Sequence, residues 1–196
     1  MNRTAVVYLH GFNSAPQSVK GRILARAAAA LQYPPRFHLP QLHHRPASAM
    51  RDVCAWIDAE VPGGRDLALV GSSLGGFYAT WLAEKYGARA VLVNPAIRPF
   101  EDLRPFVGRQ RNPYTGEEYD VTPAHFEELA ALAVVRITRP ERYFLLVRTG
   151  DEVLDWHAAV AFYAGAFQYV AGGGDHGWVD FGAEVASVLR FCGCNA

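Results

Sequence analysis

"LVGSSLGGF", residues 69–77, decides how the rest of the chain reads. An apolar run, "DLALV" (66–70), leads into it, and a helical pattern, "GGFYATWLAEKYG" (75–87), leads out. A strand that turns at once into a helix through G-x-S-x-G is a nucleophile elbow, with its serine on a sharp, strained turn. Positions two before and two after that serine must be small, because larger side chains would collide inside the turn. Ser73 has Gly71 and Gly75 there; Ser72 has Val70 and Leu74. The frame selects Ser73 as nucleophile and leaves Ser72 as a neighbour that hydrogen-bonds locally. A phosphate loop is the competing reading of a glycine-rich turn. "GSSLGG" lacks the lysine and the spacing of a P-loop, and it is not G-x-G-x-x-G.

Outward from the elbow, short apolar runs alternate with helical patterns. Strands are expected at 4–9, 36–40, 66–70, 88–93, 142–148 and 167–171. Prolines bracket the second and make it an edge strand. Helices are expected at 18–32 with Ser18 as N-cap, and at 47–61, 75–87, 156–166 and 179–192. Continuous apolar strands alternating with helices imply an α/β fold, a doubly wound and mostly parallel sheet covered on both faces. Residues 95–140 break the rhythm. They are too long for a crossover helix, and they hold one further helical pattern, "PAHFEELAALAVVRI". They read as an inserted lid or side wall, so residues 1–196 are expected to form one domain.

In such sheets the working groups lie beyond the carboxyl ends of the strands. A serine nucleophile needs a base, and the base needs an orienting acid; in this fold class they follow the serine in the order acid, then histidine. After "RYFLLVR" comes "TGDEVLDW", which offers Asp151, with Glu152 and Asp155 as rivals. Gly150 permits a tight turn that aims Asp151, while Asp155 suits the N-cap of the next helix. After "FQYVA" comes "GGGDHGW", where glycines give His176 freedom to reach over the sheet edge. His38, His43, His44, His125 and His157 read as surface or helix-face residues. The backbone N–H groups of Leu74 and Phe12 are the expected oxyanion donors, with His10 anchoring the loop that carries Phe12. Phe77, Phe100, Trp156 and Trp178 are the aromatic candidates for a substrate pocket.

Composition sets the outer bounds. The chain has 196 residues, 51% hydrophobic and 19% charged, with 19 basic against 19 acidic side chains. That balance gives no electrostatic reason to expect nucleic acid as a partner. The apolar run before His10 is five residues, too short for a signal-peptide core or a membrane span, so a cytoplasmic protein is expected. Three cysteines, an odd count, fit a reducing compartment, and no Cys/His spacing marks a metal site. No cofactor is expected. Arg98, Arg104, Arg109 and Arg111 stand against Glu101 and Asp102, an excess read as solvated surface, with an anionic leaving group as the alternative.

At these residues the sequence resembles the α/β-hydrolase superfamily, and within it the YqiA-like small bacterial esterases. The stretches that carry the resemblance are "YLHGFNS" (8–14), "VGSSLGGFYATWL" (70–82), "VNPAIRPF" (93–100), "NPYTG" (112–116), "TGDEVLD" (149–155) and "GGDHGW" (173–178). They span almost the whole chain. The resemblance implies a minimal α/β-hydrolase core and an esterase acting on small-molecule acyl esters or thioesters, with Ser73, Asp151 and His176 as its triad. It also implies that residues 93–116 are a family feature, for which the residue-by-residue reading offers no role. Gly177 and Trp178 depart from the non-glycine residue and phenylalanine expected after the histidine. A peptidase or lactonase on the same fold, or a hydrolase scaffold without catalysis, are the alternatives.

Overall fold

The computed structural model describes residues 3–194. Six strands form one parallel sheet in the order β2-β1-β3-β4-β7-β8: β1 (Ala5–Leu9), β2 (Arg36–His38), β3 (Leu67–Ser72), β4 (Arg89–Val93), β7 (Tyr143–Arg148) and β8 (Phe167–Ala171). The four inner strands alternate their side chains between two buried layers, while the edge strands β2 and β8 are largely exposed. Val6, Tyr8, Val70, Val91 and Leu146 pack under α1 (Val19–Ala29) and α7 (Val185–Phe191). Val7, Leu9, Leu69, Leu92 and Leu145 pack under α2 (Pro46–Glu60), α3 (Leu74–Tyr86) and α6 (Trp156–Phe162). Burial on both faces explains why these strands read as continuous apolar runs. The sheet is doubly wound, as expected.

Helix ends follow local chemistry. Gly87 closes α3 in the left-handed conformation, at φ 66°. Asp155 caps α6 by accepting from the His157 N–H at 2.9 Å, the role expected for it. Ser18 precedes α1 as expected, but its hydroxyl faces Tyr8 Oη at 3.5 Å instead of capping. Four helices are shorter than their patterns, α1 among them, which ends at Ala29. α6 ends at Phe162, ahead of Gly165 at φ 85°. α7 begins at Val185, after a 3-10 turn at Phe181–Glu184. α5 (Pro123–Ala131) stops before the β-branched Val134 and Val135.

Between β4 and β7 the chain forms α4 (Pro99–Asp102), an antiparallel hairpin of β5 (Gly108–Arg111) and β6 (Glu118–Val121), and then α5. The sequence reading left this hairpin out. Its turn is "NPYTG". Asn112 Oδ1 accepts from the N–H groups of Tyr114 (2.9 Å) and Thr115 (3.2 Å), and Gly116 takes φ 75°. The hairpin lies against the loop after β1. Asn112 Nδ2 donates to Ser14 O at 2.9 Å, Tyr119 Oη donates to Asn13 Oδ1 at 2.6 Å, and Phe106 packs edge-on to Phe12 at 5.4 Å.

All three cysteines are free. Cys192 and Cys194 are buried, and burial pushes both thiols up. Among the described residues, no helix is long and apolar enough to cross a membrane, and no group of three His, Cys, Asp or Glu side chains is arranged to hold a metal ion.

Candidate active site

Ser73 sits between β3 and α3 at φ 55°, ψ −122°. A non-glycine residue in such a region costs on the order of 1–3 kcal/mol and persists only where its surroundings enforce it. Here backbone on every side enforces it. A Cβ on Gly71 would strike the Gly75 carbonyl, and one on Gly75 would strike the Leu9 carbonyl. A Cβ on Gly76 would come within 2.6 Å of Pro95 Cβ. The Ser73 N–H donates to Val93 O at 3.0 Å, and its carbonyl accepts from Gly76 and Ala96 at 2.9 and 3.1 Å. Ser72 ends β3 and is buried.

The loop after β1 runs over this turn. A Cβ on Gly11 would lie 3.2 Å from Ser73 Cβ and 3.7 Å from Oγ, so glycine lets the backbone pass close without crowding the serine. His10 holds the loop. Its Nε2 accepts from the Leu42 N–H at 3.1 Å, which leaves Nδ1 to donate to Gly11 O at 2.9 Å. Burial drives the His10 pKa down, only partly opposed by the bond to Gly11, so the ring stays neutral in that tautomer. Among the described residues, neither the Phe12 N–H nor the Leu74 N–H donates a hydrogen bond. Leu74 is the first residue of α3, where no intrahelical acceptor exists. Both residues line one cleft, with about 390 Å³ of empty space including its open mouth. Its walls include Asn13, His44, Tyr78 and Tyr119. Burial holds the Tyr78 phenol well above its ordinary range, so it stays protonated.

Across the sheet, His176 Nδ1 meets Asp151 Oδ2 at 2.8 Å. Asp151 is the ring's partner, and the rivals take other work. Glu152 Oε2 accepts the His176 backbone N–H at 3.0 Å, and Asp155 caps α6. The other Asp151 oxygen accepts from the Val153 and Leu154 N–H groups, both at 2.9 Å. Burial alone would raise the Asp151 pKa. The His176 hydrogen bond and the two backbone donors outweigh it and hold the carboxyl below its usual range. Its side chain is 2% exposed, and that of His176 is 20% exposed. Among the described residues, no hydrogen bond joins Ser73 Oγ to the His176 ring. The two are linked indirectly: Ser73 N–H donates to Val93 O, and the side-chain amide of the next residue, Asn94, donates to His176 O at 3.0 Å. Asn94 and Asn112 were both missed as site-building residues. Each works through side-chain bonds to a carbonyl some 80 or more positions away.

Of the four aromatic candidates, Trp178 lies apart from the other three. Trp178 is 1% exposed in the layer under α1 and α7, with Arg148 over its ring at 4.5 Å. This corrects its reading as a pocket wall. It carries the core because the loop turns inward after His176, with Trp178 itself at φ 51°. Phe77, Phe100 and Trp156 all pack against the opposite layer. Phe77 borders another cleft, with about 210 Å³ of empty space including its opening, together with Ala96, Ile97 and Phe162. His125 lies on a helix as expected, in the first turn of α5, with its ring turned inward. His125 is 5% exposed: its Nδ1 accepts from the Thr122 N–H at 3.1 Å, and its Nε2 faces His44 Nδ1 at 3.3 Å.

A six-stranded parallel sheet with a strained serine between strand and helix defines an α/β-hydrolase fold. Solved structures bear this out. A candidate hydrolase from Agrobacterium vitis S4 superposes with a TM-score of 0.74 at 19% identity, covering 97% of this chain and 88% of that one. Est1E from Butyrivibrio proteoclasticus gives 0.68 at 13% identity, covering 97% and 87%. A chain from the metagenome-derived lipolytic enzymes LipS and LipT gives 0.68 at 19% identity, covering 99% and 95%. The chain belongs to the family described as an uncharacterised protein family, UPF0227, whose model matches residues 5–193. This is the YqiA-like family to which the sequence motifs pointed.

Proposed function

We propose that this chain is a serine hydrolase that cleaves acyl esters or thioesters through an acyl-enzyme. The observation that carries the reading is the 2.8 Å imidazole–carboxylate pair of His176 and Asp151, on a loop tied to the strand beside the Ser73 elbow. Ser73 Oγ attacks the acyl carbon as His176 Nε2 takes its proton. Asp151, kept ionised by its donors, holds the Nδ1–H tautomer and stabilises the imidazolium. The Phe12 and Leu74 N–H groups, both without another acceptor, receive the oxyanion, each donor lowering the barrier by about 3 kcal/mol. His176 then protonates the leaving alcohol or thiol, and water repeats the sequence on the acyl-enzyme. The serine–histidine bond forms in the substrate complex, where such contacts tighten. Hydrolases and esterases among the structural neighbours favour the same chemistry.

In this reading residues 1–196 act as one hydrolase domain, and the 95–140 insertion walls the cleft beside the oxyanion loop. Of the four arginines that suggest an anionic leaving group, Arg98 pairs with Glu101 and Arg109 with Glu118 and Asp120, whereas Arg104 and Arg111 make no ion pair among the described residues. The test is a panel of p-nitrophenyl esters, acyl thioesters, lactones and aminoacyl arylamides, run on wild type, Ser73→Ala and His176→Ala. Ester or thioester turnover that disappears in both variants is expected. Cleavage of arylamides or lactones alone would move the chain to another reaction. No turnover of any substrate by folded protein would end the enzymatic reading.

A further inference from the structure

His176 stands on a loop with little stiffness of its own. Gly173 and Gly174 have φ 64° and 76°, and a Cβ on Gly172 or Gly173 would meet nothing within 4 Å. Something outside the loop must fix the imidazole relative to Ser73. Among the described residues, two bonds reach the His176 backbone. Its N–H donates to Glu152 Oε2 at 3.0 Å, on an exposed side chain whose contact water competes for. Its carbonyl accepts from Asn94 Nδ2 at 3.0 Å, and Asn94 is 2% exposed. The same Nδ2 donates to Asp175 O at 3.3 Å.

The opposite edge of the amide faces the acid's strand. Asn94 Oδ1 accepts from the Arg148 N–H at 2.9 Å, and the Asn94 backbone N–H donates to Leu146 O at 2.9 Å. β4 ends at Val93, so the side chain continues the ladder to β7 by one step. Its orientation is forced, since a peptide N–H only donates and carbonyls only accept. Asparagine is also one of the few non-glycine residues that tolerates the φ of 42° found here. One buried amide therefore joins the strand leading to Asp151, the strand beside Ser73 and the backbone of His176.

We propose that Asn94 is a positioning residue for His176: it sets the distance from the imidazole to Ser73 Oγ and governs turnover rather than substrate binding. The inference rests on the triad reading above. Aspartate in its place would keep an acceptor for Arg148 but set carboxylate oxygen against two carbonyls. Glycine would suit the backbone and remove only the amide.

The experiment measures kcat, KM and the thermal midpoint for Asn94→Gly and Asn94→Asp beside Ser73→Ala, with one-dimensional proton NMR of the low-field His176 Nδ1–H. In both variants, folded at the assay temperature, kcat is expected to fall about 100-fold with KM nearly unchanged, as for a displacement near 1 Å. The low-field resonance should shift or vanish. Wild-type kcat and an unmoved resonance in folded Asn94→Gly would overturn the proposal while leaving an inactive Ser73→Ala to uphold the triad. A loss of kcat matched by loss of folded protein, with the resonance intact in the folded fraction, would also overturn it. Full turnover in Ser73→Ala would instead break the triad reading, and the resonance alone would then decide whether Asn94 holds the His176–Asp151 pair.

Discussion

Gly71 and Gly75, on either side of Ser73, are packed against backbone carbonyls, whereas Gly172 and Gly173, ahead of His176, face open space. The serine is placed by excluded volume: every direction in which its turn could relax is filled. The histidine is placed by hydrogen bonds to its loop from elsewhere: Asn94 Nδ2 donates to its carbonyl, the Gly173 N–H donates to Thr149 Oγ1 at 2.8 Å, and Lys20 Nζ donates to Gly177 O at 2.6 Å. The first kind of construction is local and rigid. The second is assembled from distant parts and depends on each of them.

Substitutions that strike the two constructions differently sharpen this contrast. The largest effect falls on the histidine side, through its acid. Asp151→Asn keeps the size of the side chain but unsettles the imidazole tautomer, and kcat should drop on the order of 10⁴-fold with the fold intact. A steady-state assay at neutral pH checks this, and a loss below tenfold would mean that the pair does not orient the base. Next comes the elbow. Gly75→Ala puts a methyl group into the Leu9 carbonyl, so the thermal midpoint should fall sharply and soluble yield with it. A variant of wild-type midpoint would show that the turn relaxes after all.

Acid should loosen the cleft wall before the elbow. His10, His44 and His125 all have pKa values lowered first by burial. Each binds its proton more readily unfolded, near pH 6.5, than folded. Their contribution to stability is therefore full above about pH 6.5 and declines as pH falls through the lower folded values. Asp151, also depressed, contributes above about pH 4 and loses that contribution as pH falls through its folded value. Thermal midpoints should drop from pH 7 to 5 and again below about 4, and His10→Asn should flatten the first step. A flat profile between pH 7 and 5 would contradict the burial of neutral histidines. The smallest effect is expected for Gly172→Ala. With open space and no left-handed φ, it should leave activity alone and raise stability by about 0.4–1 kcal/mol.

The same contrast explains what the sequence discloses. The elbow is legible because G-x-S-x-G is short and its glycines answer to backbone carbonyls, Gly71 to that of Gly75 and Gly75 to that of Leu9. All six sheet strands appear within about two residues of their expected ends; burial on both faces leaves unbroken apolar runs in the four inner ones. The β5–β6 hairpin is not legible. "GRQR" and "EYDV" are four residues each, with charged outer faces, and they resemble solvated loop. Asn94 and Asn112 are equally silent, because their partners are backbone carbonyls that any residue supplies. Trp178 misled because its place after His176 suggests a pocket, while the turn at φ 51° sends it into the core.

The most direct measurement is labelling by a fluorophosphonate probe, read by intact mass, on wild type, Ser72→Ala and Ser73→Ala. A single adduct on wild type and Ser72→Ala, absent from Ser73→Ala, is the predicted result and would locate an activated serine in the elbow. An adduct that persists in folded Ser73→Ala, or no adduct on folded wild type, would contradict the account.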